Sequence, residues 1–228
     1  MPGAPMVEQD DLLLSLQMAD SAFPSGGFAF SWGLETLKAD GHVCDGGGVY
    51  AFAHAQLRWR WASSDRVFLR RAADLEALDA LVALDREVEA MTLAKEMRDG
   101  SCRSGRALLR AHAALGSRDV AQYRKAIAEG RALGHLPVAQ AVAWRAAGMT
   151  ADAMEAVSAY TLVAGIGQAA VRLALMGPLE AQVMLTRLRP EISRLLAQAL
   201  PDQPHAFVPM AEIAVMRHET GDARLFAN

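Results

Sequence analysis

The sequence predicts an all-α protein, a single-domain helical bundle of roughly nine to eleven helical segments. Three observations predict it. Apolar residues recur at helical spacing over long stretches, no run passes the alternation test for a strand for more than a few residues, and Gly, Pro, Asp and Thr punctuate the chain at short intervals. At 228 residues, 52 % of them apolar and 21 % charged, the chain is large enough to bury a core without disulfide staples.

Residues 1–8 are expected to be flexible. Asp10 or Asp11 opens a short helix over 12–20. Pro24 holds Phe23 out of helical geometry, Gly26 and Gly27 break any helix, and Ser25 caps a second helix over about 28–38 that Gly41 ends. DGGG at 45–48 reads as a turn. Over 49–62, Leu57, Trp59 and Trp61 alternate with Arg58 and Arg60 as a strand would, but the length and the alanines favour a helix, with Phe52, Gln56 and Trp59 on one face. Ser64-Asp65 opens the next helix. Another runs from about Asp79 to Arg98, and Gly100 ends or kinks it before a helix over 101–115. Asp119 caps the segment that Gly130 stops. Pro137 sits in a first helical turn, and Thr150 caps a long helix to about Met176. Gly177-Pro178 introduces a helix with a kink or break near Pro190. PDQPHAFVPM at 201–210 is a loop before a short terminal helix.

Several functions are excluded or left without support. The net charge is −3 and no Lys/Arg block stands out, against a nucleic-acid partner. The most apolar stretch, 156–171, is shorter than the roughly 18 residues a membrane span needs and contains Ser158, Tyr160, Thr161 and Gln168, so it reads as a core helix. The N-terminus lacks a basic region followed by an apolar run, and Cys44 and Cys102 do not make a disulfide framework; a cytoplasmic location is expected. No phosphate-cradling glycine motif occurs, and SGG at 25–27 lacks the lysine and strand it would need. Ser21 or Ser25 as a nucleophile would require a base that the sequence does not identify. No histidine forms HExxH; His42-Val43-Cys44 reads as an ordinary loop, and His54 and His112 as satisfied, half-buried helix residues. No catalytic residue, cofactor or metal site is therefore expected. The late segment is denser: Glu212, Arg217, His218 and Glu219 are flanked by Ile213, Val215, Met216, Leu225 and Phe226. Such a tail packs on the body or inserts into another protein. Trp32, Trp59, Trp61 and Trp144 are core or interface anchors.

Five blocks in order along the chain suggest a family. DSAFPSGGFAFSWGLE at 20–35 resembles the opening signature of the urease accessory protein UreF. SCRSGRALL at 101–109, HLPVAQAVAWRAAGM at 135–149, AYTLVAGIGQAAVRLALMGPLEAQ at 159–182 and IAVMRHETGDARLFAN at 213–228 are similar to its later blocks. The resemblance implies an all-helical, non-catalytic protein that forms a homodimer, binds the accessory protein UreD (UreH), and in that complex recruits the nickel-carrying GTPase UreG to deliver nickel to apo-urease. It makes Phe23, Pro24, Ser25, Gly26, Gly27, Ser31 and Glu35 in the first signature, and His218, Glu219, Arg224, Leu225 and Phe226 in the last, candidate partner-binding residues. It further makes about 210–228 a partner-binding arm, detached by the preceding loop and anchored by Leu225 and Phe226. The family commonly continues Arg-Leu-Phe with Arg-Ser, whereas this chain ends Ala227-Asn228, which removes one charged contact. Two alternatives stand beside this reading: a helical interaction module unrelated to nickel, and a helical hydrolase, which would show polar side chains converging in a closed cleft.

Overall fold

The computed structural model describes residues 6–25, 30–117, 119–218 and 226, and it is all-helical. The helices are α1 (Met6–Ala19), α2 (Leu34–Ala39), α3 (Gly46–Gln56), α4 (Arg66–Ala73), α5 (Leu78–Met91), α6 (Lys95–Ala114), α7 (Val120–Ala128), α8 (Leu136–Ala146), α9 (Ala151–Arg172), α10 (Pro178–Leu196) and α11 (Pro209–His218). A π-helical segment, Leu57–Asp65, joins α3 to α4 without a break.

Two apolar clusters form the interior. One gathers α2, α3, α10, α11 and the second half of α9 around Phe30, Leu34, Leu57, Trp61, Ile166 and Leu188. The other gathers α4 to α8 and the first half of α9 around Phe68, Leu108, Tyr123, Val138 and Trp144. The long α9 runs through both, which is why its apolar stretch is continuous. Its Thr150 cap accepts the Ala153 N–H at 3.3 Å, and Pro137 and Pro178 stand in the first turns of α8 and α10, as the sequence predicts.

Local punctuation misleads at several points; Asp10 and Asp11, expected to open the first helix, lie inside α1, which begins at Met6. The triple glycine is not a turn: Asp45 accepts the Gly48 N–H at 2.8 Å and makes Gly46–Gly48 the first turn of α3. The helix expected from 28 starts only at Leu34, because Trp32 and Gly33 both have left-handed backbones (φ 57° and 88°). Gly100 neither ends nor kinks a helix. The chain breaks at 92–94 instead, where Arg98 Nη1 binds the carbonyls of Thr92 and Leu93 at 2.8 and 2.7 Å. Gly100 then lies inside α6 because Phe30 packs on it; a Cβ there would stand 2.7 Å from the ring. Finally, α10 continues through Pro190 without a break.

The π-helical segment also resets which tryptophan faces inward. Phe52 and Gln56 are buried together as expected, but Trp59 is exposed and Leu57 and Trp61 face the core. A π turn holds more residues than an α turn, so the inward face advances along the sequence. The Trp59 and Ser63 carbonyls accept the N–H groups of Phe207 and His205, both at 2.8 Å, and Ser63 Oγ donates to the His205 carbonyl at 2.7 Å. The loop before α11, expected to detach an arm, is thereby pinned to the body.

Candidate protein-interaction site

The first and last signature blocks meet in space. Ser31 is buried, and its hydroxyl lies 3.5 Å from the Glu35 N–H at the start of α2. Gly33 then turns the chain into α2 and leaves room for α11: a Cβ on it would stand 2.9 Å from the Ala211 carbonyl and 3.2 Å from Ala214 and Val215. Arg217 on α11 grips the Asp40 carboxylate with both Nη atoms, at 2.5 and 3.2 Å. Beyond α11, the Glu35 carboxylate accepts the Phe226 N–H at 3.1 Å. The Phe226 ring is buried under the Arg172 guanidinium, 4.0 Å from its centroid, where a cation over an aromatic face is attracted by the ring quadrupole. Lys38 fixes the other side of α2 by donating to the Leu173 carbonyl at 2.5 Å.

Phe226, expected to anchor a partner, therefore fills its own bundle, and α11 is docked rather than free. His218 closes α11, while Gly26, Gly27, Glu219, Arg224 and Leu225 lie outside the described residues. Phe23 is held elsewhere, in a turn closed by Asp20: the Asp20 carbonyl accepts the Phe23 N–H at 3.0 Å, and its side chain accepts the Ala22 N–H at 2.9 Å. The Phe23 ring packs 5.6 Å from the His112 ring. Pro24 and Ser25 border a cavity of about 340 Å³ between α1, α6, α8 and α9.

That cavity has polar walls whose side chains pair with one another. Asp65, its pKa raised by burial, lies 3.6 Å from Arg60, and Arg60 stacks 4.4 Å over the Trp32 ring. Ser158 receives the Trp61 indole N–H at 3.1 Å and lies 3.4 Å from Gln140 Oε1. Among the described residues, no serine or cysteine in it is hydrogen-bonded to a histidine base, the pairing a hydrolase of this kind would need. His112 differs from the expectation of a satisfied, half-buried residue. It is fully buried, its ring nitrogens have no hydrogen-bond partner among the described residues, and burial lowers its pKa.

What α11 offers is its outer face. Ala211, Ala214 and Val215 point inward, while Met210, Ile213 and Met216 are 53 %, 53 % and 40 % exposed, with Phe207 just before them at 72 %. The spacing of three residues puts this apolar row on one side of the helix. A second apolar surface surrounds a groove of about 860 Å³ between α1, α9 and α10, with Leu12, Leu13, Leu16, Tyr160, Leu179 and Val183 exposed on those helices. Scattered exposed apolar side chains are ordinary, but contiguous ones mark interaction surfaces. The row on α11 was visible in the sequence only as apolar flanks of a polar segment; which flank faces out depends on Gly33, which is distant in sequence.

Geometry of this kind defines a helical protein with exposed apolar faces on α11 and around the groove between α1, α9 and α10. Among the described residues no helix is long and apolar enough to cross a membrane. A family model, UreF, matches residues 43–189. The chain is 33 % identical over 218 residues to the urease accessory protein UreF of Arthrobacter sp. (strain FB24), covering 92 % of this chain and 94 % of that one. It is 32 % identical to the UreF of Cereibacter sphaeroides, over 94 % and 97 % of the two chains, and 30 % identical to that of Trichodesmium erythraeum, over 98 % and 100 %. The chain belongs to the UreF family of urease accessory proteins.

Proposed function

We propose that this protein is the helical scaffold of a cytoplasmic urease-maturation complex: it docks a UreD/UreH-like accessory protein on the outer face of α11, and the pair recruits a UreG-like GTPase that delivers nickel, the cargo, to apo-urease. The observation that carries this reading is the apolar row Phe207, Met210, Ile213 and Met216 on a helix whose opposite face is locked to α2. Fully burying a side chain of this size contributes about 1.5–3 kcal/mol. Four that are already partly covered can together contribute several kcal/mol, enough for a hot-spot cluster after the costs of association. Residues from three of the blocks support this surface from behind: Glu35, Arg172, Arg217 and Phe226 fix where α11 sits. A homodimer would form over the groove between α1, α9 and α10, whose exposed Leu12, Leu16 and Leu179 offer an apolar patch to a second copy.

Co-purification with a UreD-like partner tests the reading. The pair of substitutions Ile213→Glu and Met216→Glu is expected to abolish capture while leaving helicity and melting temperature near those of the parent. Phe226→Ala is expected to lower stability instead, by about 3–5 kcal/mol for a buried aromatic. Undiminished capture by the Ile213→Glu/Met216→Glu protein would refute the assignment of the docking face.

A further inference from the structure

The apolar row on α11 is short for an interface, and the surface beside it is of a different kind. Four side chains on and beside one short helix fall well under the roughly 20–30 residues a side of a stable protein–protein contact. At the Phe207 end the surface continues. The Trp59 carbonyl accepts the Phe207 N–H at 2.8 Å, and both residues are exposed, Trp59 at 47 %. Arg58 Cζ lies 4.9 Å over the Trp59 ring, and its Nη1 is 3.7 Å from Glu191 on α10. Arg187, Glu191 and Arg194 share one side of α10, being spaced four and three residues apart. From this juxtaposition we infer that the docking face continues past Phe207 and Trp59 onto a basic strip of Arg58, Arg194 and Arg187, and that the UreD-like protein presents carboxylates to that strip. The inference rests on the reading of α11 as the docking face.

The strip carries positive charge in excess. Arg194 clamps the Glu191 carboxylate through Nε and Nη2 at 2.7 and 2.6 Å, and Arg58 and His54 each stand 3.7 Å from the same carboxylate. The Arg194 guanidinium holds the Glu191 carboxyl below the usual range, so the clamp stays ionised and keeps its arginines oriented. Arg187 Cζ lies 4.2 Å over the Tyr50 ring, which itself stacks on His54, and no carboxylate among the described residues pairs with Arg187. Three guanidinium charges thus gather around one carboxylate, in a chain whose net charge is −3. The rest of the surface repels an acidic protein, and this strip attracts it.

An acidic protein segment fits this strip better than a nucleic acid does. Tryptophan, tyrosine and arginine are the side chains enriched at the energetic centres of protein interfaces. The positive charge covers a few residues only, whereas a nucleic-acid binder is basic over a whole face. Each guanidinium has five N–H donors, more than Glu191 takes up, and the remaining ones suit carboxylates, which they can hold in pairs. Charges at the rim of an interface act on the rate of encounter and on register more than on affinity. The two parts of the face therefore differ in their work: the row on α11 holds the partner, and the strip steers it in.

The test uses the full chain and an immobilised UreD-like partner, with association and dissociation rates measured at about 50 and 500 mM salt, either side of physiological screening. Association of the parent is expected to slow roughly tenfold between the two. Arg58→Glu/Arg187→Glu, which leaves the Arg194–Glu191 pair in place, should associate roughly tenfold more slowly at the lower salt. It should match the parent at the higher salt and dissociate at the parent's rate. Arg58→Lys/Arg187→Lys keeps the charge and should associate as the parent does. A parent rate that ignores salt, a glutamate variant that associates like the parent, or a lysine variant as slow as the glutamate one would overturn the strip. So would retention of a short duplex RNA by the parent at physiological salt, lost in the glutamate variant, which would assign the strip to nucleic acid. The two readings fail separately. Ile213→Glu/Met216→Glu should lose capture at both salts; if it does not, the assignment of α11 fails, and if it does while the glutamate variant associates like the parent, only the strip fails.

Discussion

Replacing Gly33 with alanine should loosen α11 from the body, and the size of the effect follows from two separable costs. The backbone at Gly33 is left-handed, φ 88°, which costs an alanine about 1–2 kcal/mol. The added Cβ would also stand 2.9 Å from the Ala211 carbonyl and 3.2 Å from Ala214 and Val215. Backbone oxygen cannot swing away as a side chain can, so overpacking adds about 1–3 kcal/mol. The sum is roughly 2–5 kcal/mol. Gly41 provides the control: its φ is 74°, but nothing lies within 4 Å of where its Cβ would be, so Gly41→Ala should carry only the backbone cost. Urea unfolding of both variants gives the difference, and hydrogen exchange locates it. Amide protection should fall in α11 for Gly33→Ala and remain unchanged there for Gly41→Ala. Equal destabilisation by the two variants, or unaltered protection of α11, would refute the claim that Gly33 exists to seat α11.

Two further perturbations address the interior. Arg66 donates to Glu155 at 2.7 Å and to the carbonyls of Leu195, Leu196 and Gln198 at 2.7, 3.0 and 3.2 Å, joining α4, α9 and the end of α10; Arg66→Ala should cost about 3–5 kcal/mol by leaving Glu155 buried without this partner, and adding Glu155→Gln should recover part of that in a urea-denaturation cycle. Burial lowers the pKa of His112 below its usual value, so the unfolded chain takes up the proton first: stability should be fully present above about pH 6.5 and decline as pH falls below it, by at most about 1.4 kcal/mol per pH unit. His112→Leu should flatten that decline in unfolding free energies measured from pH 7.5 to 5.5.

The helical class was legible because its signals are local. Thr150 can cap only the residues just after it, and Pro137 and Pro178 are compatible with a first turn whatever packs around them. The glycines were not legible in the same way. Gly46–Gly48, Gly100 and Gly105 have a turn former's composition, yet they lie inside helices, the last two because Phe30 and the Gly134 carbonyl occupy the space a Cβ would take. The partner in each case is 29 or more residues away. Such a contact leaves no mark on the neighbouring sequence. The π-helical segment escaped for a related reason: its carbonyls are claimed by His205 and Phe207, and no propensity of residues 57–65 announces that. The contact of Cys102 Sγ with the His135 ring, 3.6 Å, likewise spans 33 residues and leaves no mark on either neighbourhood.

The same distinction bears on what the two terminal signatures are for. Taken one at a time, a glycine-rich opening and a His-Glu…Arg-Leu-Phe ending both suggest residues kept for contact with another protein. In the fold their described residues meet each other: Gly33 receives α11 and Glu35 holds the backbone of Phe226, while Arg172 of the central block covers its ring. On the proposed function, a partner would meet the side chains these contacts leave outside, Phe207, Met210, Ile213 and Met216. The docking energy of that proposed face would come from those four, and its orientation from the contacts behind α11. Substitutions in the two sets should therefore differ in kind. Changes on the outer row should weaken partner capture with stability intact, whereas changes at Gly33 or Phe226 should weaken capture only as far as they release α11, so that across a series of such variants lost capture should track lost amide protection in that helix.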